Sequence, residues 1–464
     1  MNCAMSRASY VSPRIELLTP SRVGKHSLVD ITHGSDWSEE GVDVKALIEE
    51  FGSPLFLLSE RTLRAQFRSF LDAFTAPNVE TVVAYSYKTN YIPAICAILH
   101  EEGAWAEVVS GIEYSLARSL GVAGSQIIFN GPHKTDQEIG RSIADGALIN
   151  IDGFDELERT EKLARSAGRP ARIGLRINFR HGVLPWTKFG FSAETEDVSG
   201  ALEQVKNAGH GVLQLEALHN HAGTFQVDPK VYGYATTVLG KAAKMARGMG
   251  LEPSIIDLGG GYPSSNQLKP EFDAPESYDT DGSSLKGFAE EIIDRLTKVR
   301  KSFGDYPTLV LEPGRAVVDT AIRLACSVVS LKEATGQSPT AVIDAGVNIL
   351  PTAYYYDHRV SIESQTSIIL GEQKQYSLFG PLCMQIDKVR DKVWLPELSL
   401  GDILMIDNVG AYCQSQSMQF IQPRPATVLI GEHGPELIQR RETWRDFFSR
   451  DALSDRLRSD ECDF

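Results

Sequence analysis

Four short stretches of the sequence carry residues that could do chemistry, and each follows an apolar, strand-like run. Lys88 ends the first run, in VVAYSYKTN, and His221 lies in HNHAGT. A triglycine occupies residues 259–261, and Glu312 and Arg315 belong to EPGR. A lysine in such a position is either a solvated strand end or an amine held for covalent chemistry. The composition and order of the remaining chain have to distinguish these two interpretations.

The triglycine favours an anion site, because glycine amides without a neighbouring Cβ can approach an anion closely. Arg315 could add a charge-assisted contact to the same anion. A dinucleotide-binding fingerprint is the alternative, but GGGYPSS lacks the third glycine and the helix-opening pattern. Taken alone, His221 could be a packing residue and Glu312 a turn residue.

Eight strand-like runs alternate with helix-like stretches from about residue 80. This alternation predicts a parallel (β/α)₈ barrel with its site at the C-terminal ends of the strands. A doubly wound open sheet would show the same alternation. In the barrel, all four stretches would face one rim. The runs span residues 81–87, 104–110, 126–130, 147–151, 171–179, 212–220, 254–258 and 308–312.

Past residue 322 the strand-like runs are short and no longer separated by helices, which predicts a mainly antiparallel β domain. YVSPRIELL near the N-terminus could supply one of its strands. The polar stretch 266–284 reads as a surface insertion. We therefore expect an N-terminal segment at 1–48, a barrel at 49–320, a β domain at 321–440 and a tail at 441–464.

Composition excludes several classes of function. The 46 basic and 61 acidic residues give a net charge of −15, which argues against nucleic acid or an anionic membrane as partner. The six cysteines show no paired spacing, so neither a zinc site nor a disulfide framework is indicated. Without a signal peptide or membrane-length apolar run, we expect a cytoplasmic protein.

Together with GPLC (380–383) and GAY (410–412), these stretches resemble the motif series of the fold-type III pyridoxal-phosphate decarboxylases. Diaminopimelate and ornithine decarboxylases are the best-known members. The resemblance covers residues 50–432 in the right order. It implies pyridoxal 5'-phosphate as cofactor and loss of an α-carboxylate as the reaction. A metal is not implied.

The resemblance also assigns roles. Lys88 would join the cofactor aldehyde covalently, with its pKa lowered by the barrel wall, and His221 would stack on the ring. Glu312 would pair with the pyridine nitrogen; racemases of this fold place an arginine there, so the glutamate favours decarboxylation over racemisation. The implied cofactor-binding set is Lys88, Glu107, Arg176, His221, Thr224, Gly259, Gly260, Gly261, Glu312, Arg315 and Tyr412.

Cys383 resembles the cysteine that relatives deliver across a dimer interface to protonate the substrate carbon. Without the family it would be an ordinary small hydrophobe. With Lys88 and His221 it completes the catalytic set, and Lys88 is the alternative proton donor. The resemblance therefore implies a homodimer with its active site at the subunit interface.

The departures from the family pattern concern the substrate. Diaminopimelate decarboxylases carry a glutamate where Met384 stands and an arginine in a stretch that here contains Leu350 and Pro351. An unpaired charged distal end costs several kcal/mol, so we expect a modified amino acid, conjugated to citrate or a carrier, in siderophore or antibiotic synthesis. Free ornithine, lysine or diaminopimelate is the alternative, and a silent regulatory homologue is another. Candidate substrate contacts are Arg315, Tyr355, Asp357 and Met384.

Overall fold

The computed structural model describes residues 41–180, 188–266, 268–269, 285–333, 338–363 and 373–457. The predicted strand in YVSPRIELL and nearly all of the predicted insertion at 266–284 lie outside these residues. In the described part, no helix is long and apolar enough to cross a membrane.

The strands in the first part of the chain are mostly short and buried. They are β1 (Leu55–Ser59), β2 (Thr81–Ser86), β3 (Trp105–Val108), β4 (Ile127–Phe129), β5 (Leu148–Ile151), β6 (Ala171–Asn178), β7 (Phe191–Ser192), β8 (Leu213–His219), β9 (Ile255–Asp257) and β10 (Thr308–Leu311). The later strands are β11 (Ile322–Lys332), β12 (Thr340–Ile343), β13 (Val360–Ile362), β14 (Gln373–Phe379), β15 (Lys388–Pro396), β16 (Ile403–Ile406), β17 (Ala426–Gly431) and β18 (Gly434–Gln439).

The helices are amphipathic and several carry clear end signals. Thr135 and Glu138 form a capping box at the start of the fifth helix, which ends at left-handed Gly146. The helices are α1 (Val44–Phe51), α2 (Glu60–Ala73), α3 (Pro93–Glu101), α4 (Gly111–Ser119), α5 (Asp136–Asp145), α6 (Phe154–Ala167), α7 (Asp197–Ala208), α8 (Lys230–Gly248), α9 (Leu285–Val299), α10 (Arg315–Val318) and α11 (Trp444–Phe447).

The predicted barrel is confirmed. Eight parallel strands run in the order β5-β4-β3-β2-β10-β9-β8-β6, and pairing of β5 with β6 closes the ring. These are the eight runs identified in the sequence, with ends shifted by a residue or two. Parallel strands bring their C-terminal ends to one rim, so the four chemical stretches do meet there.

The second sheet is mainly antiparallel, as predicted, and runs β15-β14-β12-β11-β1-β17-β18 with β16 beside β11. Its central strand β1 comes from the range 49–320, which the sequence predicts to form the barrel. All five β1 residues are buried, and the strand pairs with β11 on one side and β17 on the other. An apolar strand buried on both faces is more stable in the middle of a sheet than alone at the barrel entrance.

The two domains touch beside Lys88. The Tyr412 amide donates to the Thr89 carbonyl at 2.8 Å, and the Asn90 side chain donates to the Gly410 carbonyl at 3.0 Å. The β-domain loop at 410–412 is thereby fixed to the turn that carries the lysine.

Candidate active site

Lys88 lies in a short 3₁₀ turn, Tyr87–Thr89, that directly follows β2. Its Nζ donates to Glu107 Oε2 at 2.6 Å. One third of the lysine side chain is exposed, whereas Glu107 is fully buried. Glu107 also accepts from the Ser86 hydroxyl and, at 3.0 Å, from the Asn130 amide. These donors hold the carboxylate in place beside the amine.

The expectation that the barrel lowers the pKa of Lys88 is wrong for this arrangement. Burial works against the ammonium charge, but the nearby carboxylates of Glu107 and Glu312 outweigh it and raise the pKa. The amine must therefore give up a proton before it can act as a nucleophile, and Glu107 is the acceptor within reach.

Glu312 follows β10 and lies deep in the barrel. The Asn130 amide donates to its Oε1 at 2.6 Å, and His219 Nε2 lies 3.7 Å from its Oε2. Burial opposes its charge, but His219 and Lys88 hold the pKa of Glu312 below the usual value. Glu312 is therefore an anion, which suits a carboxylate that faces a protonated ring nitrogen.

His221 contacts the triglycine loop. Its Nδ1 accepts the Gly260 amide at 3.1 Å, while the Gly259 amide donates to Asp257 Oδ1 at 3.0 Å. Burial, together with the charges of Lys88 and Arg176, holds the pKa of His221 well below its usual value, so the imidazole is neutral. Two of the three glycine amides thus donate hydrogen bonds within the protein. The Gly261 amide has no hydrogen-bond acceptor among the described residues.

Arg315 lies inside a box of aromatic rings. Its guanidinium carbon is 4.9 Å from the ring centre of Tyr356, 5.1 Å from that of Tyr412 and 5.6 Å from that of Phe225. Its buried Nη1 has no hydrogen-bond partner within the described residues, and Asp319 Oδ2 is 3.9 Å away. A buried donor in need of an acceptor fits an anionic group such as a phosphate.

Two further predicted cofactor residues lie at this rim. Arg176, at the end of β6, forms an ion pair with Asp152 at 3.3 Å and lies 4.3 Å over the Phe189 ring. Burial lowers the pKa of Arg176 despite that partner. Thr224 is exposed on the loop next to Gly223, whose carbonyl faces Gly261.

Several residues at the site were not found from the sequence. The Asn150 amide donates to Asn130 Oδ1 at 2.8 Å and to Asp257 Oδ2 at 3.2 Å, so a buried amide chain connects the carboxylates. Polar residues at the ends of apolar runs were the available signal for Asn130, Asn150, Asp257 and His219. The sequence gives no signal for Phe225 and Tyr356, because their role depends on where Arg315 lies in the folded chain.

Of the four predicted substrate contacts, Arg315 lies with the cofactor residues described above. Tyr355 is 42% exposed, and Asp357 forms an ion pair with Arg390 at 3.6 Å. Leu350 is fully buried in the core and cannot reach a substrate carboxylate. In the described chain, nothing joins the exposed Cys383 or its neighbour Met384 to the Lys88 group.

The loop that carries Cys383 is nevertheless well anchored. Buried Asp387 accepts the amide of Leu382 and that of Val347, each at 2.7 Å. One carboxylate therefore holds together the cysteine loop and the segment that replaces the family's distal arginine.

Comparison with known proteins supports the interpretation of this geometry. Residues 60–319 match the family model described as "Pyridoxal-dependent decarboxylase, pyridoxal binding domain". Diaminopimelate decarboxylase of Methanocaldococcus jannaschii is 30% identical, over 90% of this chain and 95% of the relative.

Solved structures agree. The complex of the M. jannaschii diaminopimelate decarboxylase with L-lysine superposes with a TM-score of 0.80 at 29% identity, covering 90% of this chain and 96% of that one. The Vibrio vulnificus lysine/ornithine decarboxylase bound to putrescine gives 0.67 at 25% identity, covering 83% and 96%.

The chain belongs to the pyridoxal-dependent decarboxylase family. It is a carboxy-lyase that acts on an amino acid and uses pyridoxal phosphate. The residues present fit that cofactor: an amine beside a buried base, an unpartnered arginine donor, and an anionic carboxylate deep in the barrel.

Proposed function

We propose that this protein removes the α-carboxylate of a free diamino acid of the diaminopimelate, lysine and ornithine class. The arrangement of Lys88, Glu107 and Glu312 in one connected group at the barrel rim carries the proposal. The named relatives act within this substrate class, and their likeness extends over nine tenths of the chain. They favour the free amino acid over the conjugated one expected from the sequence.

Each residue has a definable task. When bound, the cofactor supplies an electron sink for the pair of electrons that the departing carbon dioxide leaves behind. Glu312 holds a proton on the ring nitrogen and keeps the sink strong. Arg315 and the Gly261 amide bind the phosphate, and neutral His221 covers the ring without competing for its charge.

Proton transfer is the task of Lys88 and Glu107. Glu107 Oε2 lies 2.6 Å from Nζ, within the range for direct transfer. It takes the lysine proton before the covalent link forms and keeps the amine close to the substrate carbon. After carbon dioxide has left, Lys88 or Cys383 donates a proton to that carbon in place of the lost carboxylate.

The test is a substrate panel on the purified holoenzyme. We expect carbon dioxide and the matching amine from at least one of meso-diaminopimelate, L-lysine and L-ornithine, measured by gas release and mass spectrometry. Lys88→Ala and Glu312→Gln serve as controls and should each lose more than about 100-fold in kcat. Chiral analysis of recovered substrate tests for a racemase. Failure to release carbon dioxide from every amino acid tested would refute the proposal.

A conjugated substrate is the second candidate, and one observation favours it. The positions that should hold a charged distal end carry Met384 and core residue Leu350, and Asp357 is already paired with Arg390. An amino acid linked to citrate or a carrier needs no charged clamp at that end. Turnover of citrate-linked diamino acids, with none of free ones, would establish this candidate instead.

We also propose that the enzyme acts as a homodimer in which Cys383 enters the partner's site. Cys383 is exposed on its own chain, next to Ile386, which is 76% exposed. Tyr354 is 66% exposed and Ile421 52%. Large apolar side chains exposed to this extent are typical of an interface.

Mixed subunits test the dimer. Lys88→Ala and Cys383→Ala chains are each expected to be nearly inactive, and mixing them should restore roughly a quarter of the wild-type sites. Light scattering should give twice the chain mass. A monomeric active enzyme, or no recovery on mixing while both variants fold, would exclude the shared site.

A further inference from the structure

Two buried carboxyl groups lie side by side at the base of the site. Asp257 is fully buried and Glu312 is 2% exposed, and the two carboxyl groups interact electrostatically. The nearest atoms of Asp257, Glu312 and His219 all lie within 4.8 Å of one another. Two adjacent buried carboxylates repel each other, which favours one proton shared by the pair.

The surroundings decide which carboxyl group is the anion. Glu312 accepts a hydrogen bond from the Asn130 amide at 2.6 Å, and the positive charge of Lys88 favours its ionised form. Asp257 is on the far side, where its Oδ1 accepts the Gly259 amide and its Oδ2 the Asn150 amide. Burial and the adjacent Glu312 raise the pKa of Asp257 well above its usual value.

We propose that Asp257 is a positioning residue that stays protonated and donates its proton in a hydrogen bond to ionised Glu312. This inference rests on the proposed function, in which Glu312 pairs with the ring nitrogen. The bond fixes the direction of the Glu312 carboxylate. It also supplies a donor to a buried anion, without adding a second negative charge.

Other ionisable groups face this pair from the surrounding strands. Of these groups, His219 belongs to the three-residue cluster described above. The groups are Lys88, Glu107, Arg176, His219, His221 and Tyr262.

Three variants separate a neutral acid from an anion. Asp257→Asn keeps a donor toward Glu312 but cannot accept from Asn150, so we expect kcat to fall less than about tenfold. Asp257→Leu has no hydrogen-bond donor at this position, so its kcat should fall by more than about 100-fold, with KM little changed. Glu312→Gln is the reference for loss of the anion itself. If Asp257→Asn loses as much as Glu312→Gln, Asp257 is the anion and the inference is overturned.

A second readout does not depend on turnover or on correct folding of the leucine variant. Infrared difference spectra of the protein, with ¹³C-labelled aspartate, should show the carbonyl band of a protonated carboxylic acid at neutral pH. The band should disappear in Asp257→Asn. Absence of the band in the wild type contradicts the inference, as does a stoichiometric metal ion found by elemental analysis. Activity in Glu312→Gln would instead refute the proposed function.

Discussion

Replacing the last glycine of the triglycine with alanine tests the geometry of the phosphate loop most directly. Gly261 has φ +98°, and a Cβ built on it would lie 2.1 Å from the Gly223 carbonyl oxygen. Real Cβ atoms keep at least 3.0 Å, so one of the two loops must move by about 0.9 Å. The Gly261 carbonyl also accepts the Gln226 amide at 2.8 Å, which holds the loops together on the other side.

The expected cost has two parts. The left-handed backbone costs alanine about 1–2 kcal/mol. Separating the loops weakens the Gln226 hydrogen bond, worth about 1 kcal/mol. We therefore expect Gly261→Ala to lower the free energy of unfolding by about 2–3 kcal/mol. Moving the Gly261 amide away from the phosphate removes a charge-assisted bond worth about 1.5–3 kcal/mol, which is a 10- to 100-fold loss of cofactor affinity.

The chain offers matched controls. Gly250 has φ +83° with no atom within 4 Å of its Cβ position, so Gly250→Ala measures the backbone cost alone. Gly248 has neither feature and ends helix α8, so Gly248→Ala should leave stability unchanged or raise it by up to about 1 kcal/mol. Urea unfolding gives the stabilities, and titration of apoenzyme with pyridoxal phosphate gives the affinities. The reasoning is refuted if Gly261→Ala and Gly250→Ala are equal in both measurements.

Three further outcomes follow. Arg315→Lys, which loses the planar donor fork, should weaken pyridoxal-phosphate binding about tenfold in the same titration. Glu107→Gln removes a carboxylate that raises the pKa of Lys88, so borohydride-trapped loading should proceed at lower pH than in the wild type; an unchanged profile contradicts this. Burial raises the pKa of Glu113 from 4.5 to about 7, so its stabilising effect is complete below pH 4.5 and lost as the pH rises through 7. Glu113→Gln cannot ionise, so the loss of unfolding free energy between pH 5 and pH 8 should be smaller by up to about 3 kcal/mol in this variant. Urea unfolding at the two pH values measures this difference.

At the distal end of the substrate pocket, the likeness to relatives and the chemistry of the residues present favour different substrates. Relatives favour a free diamino acid, whereas Met384 and Leu350 leave no charged partner for one. If the dimer forms as proposed, a side chain of the second subunit can supply that partner. The substrate panel and the mixed-subunit experiment therefore need to be interpreted together.

The sequence by itself determined the eight barrel strands and the order of the chemical stretches, whereas the pairing of β5 with β6 that closes the ring came from the structure. Period and length of apolar runs are local properties, and eight such runs gave the strands to within a residue or two. Lys88, His221, Glu312 and Arg315 could be placed at one rim because parallel strands all end on the same side.

Only the tertiary structure decided which groups touch and how they are charged. Asn130 bridges Glu107 and Glu312, the latter 182 positions away, and no local pattern contains that contact. The charge of Lys88 could not be read from the sequence either, because its pKa depends on carboxylates that follow or belong to other strands. The strand at residues 55–59 is apolar on both faces, which suits either domain, so its place in the second sheet was set by its two strand partners. The burial and the ionisation of a side chain depend on residues that are distant in the sequence, and only the fold determines which residues become its neighbours.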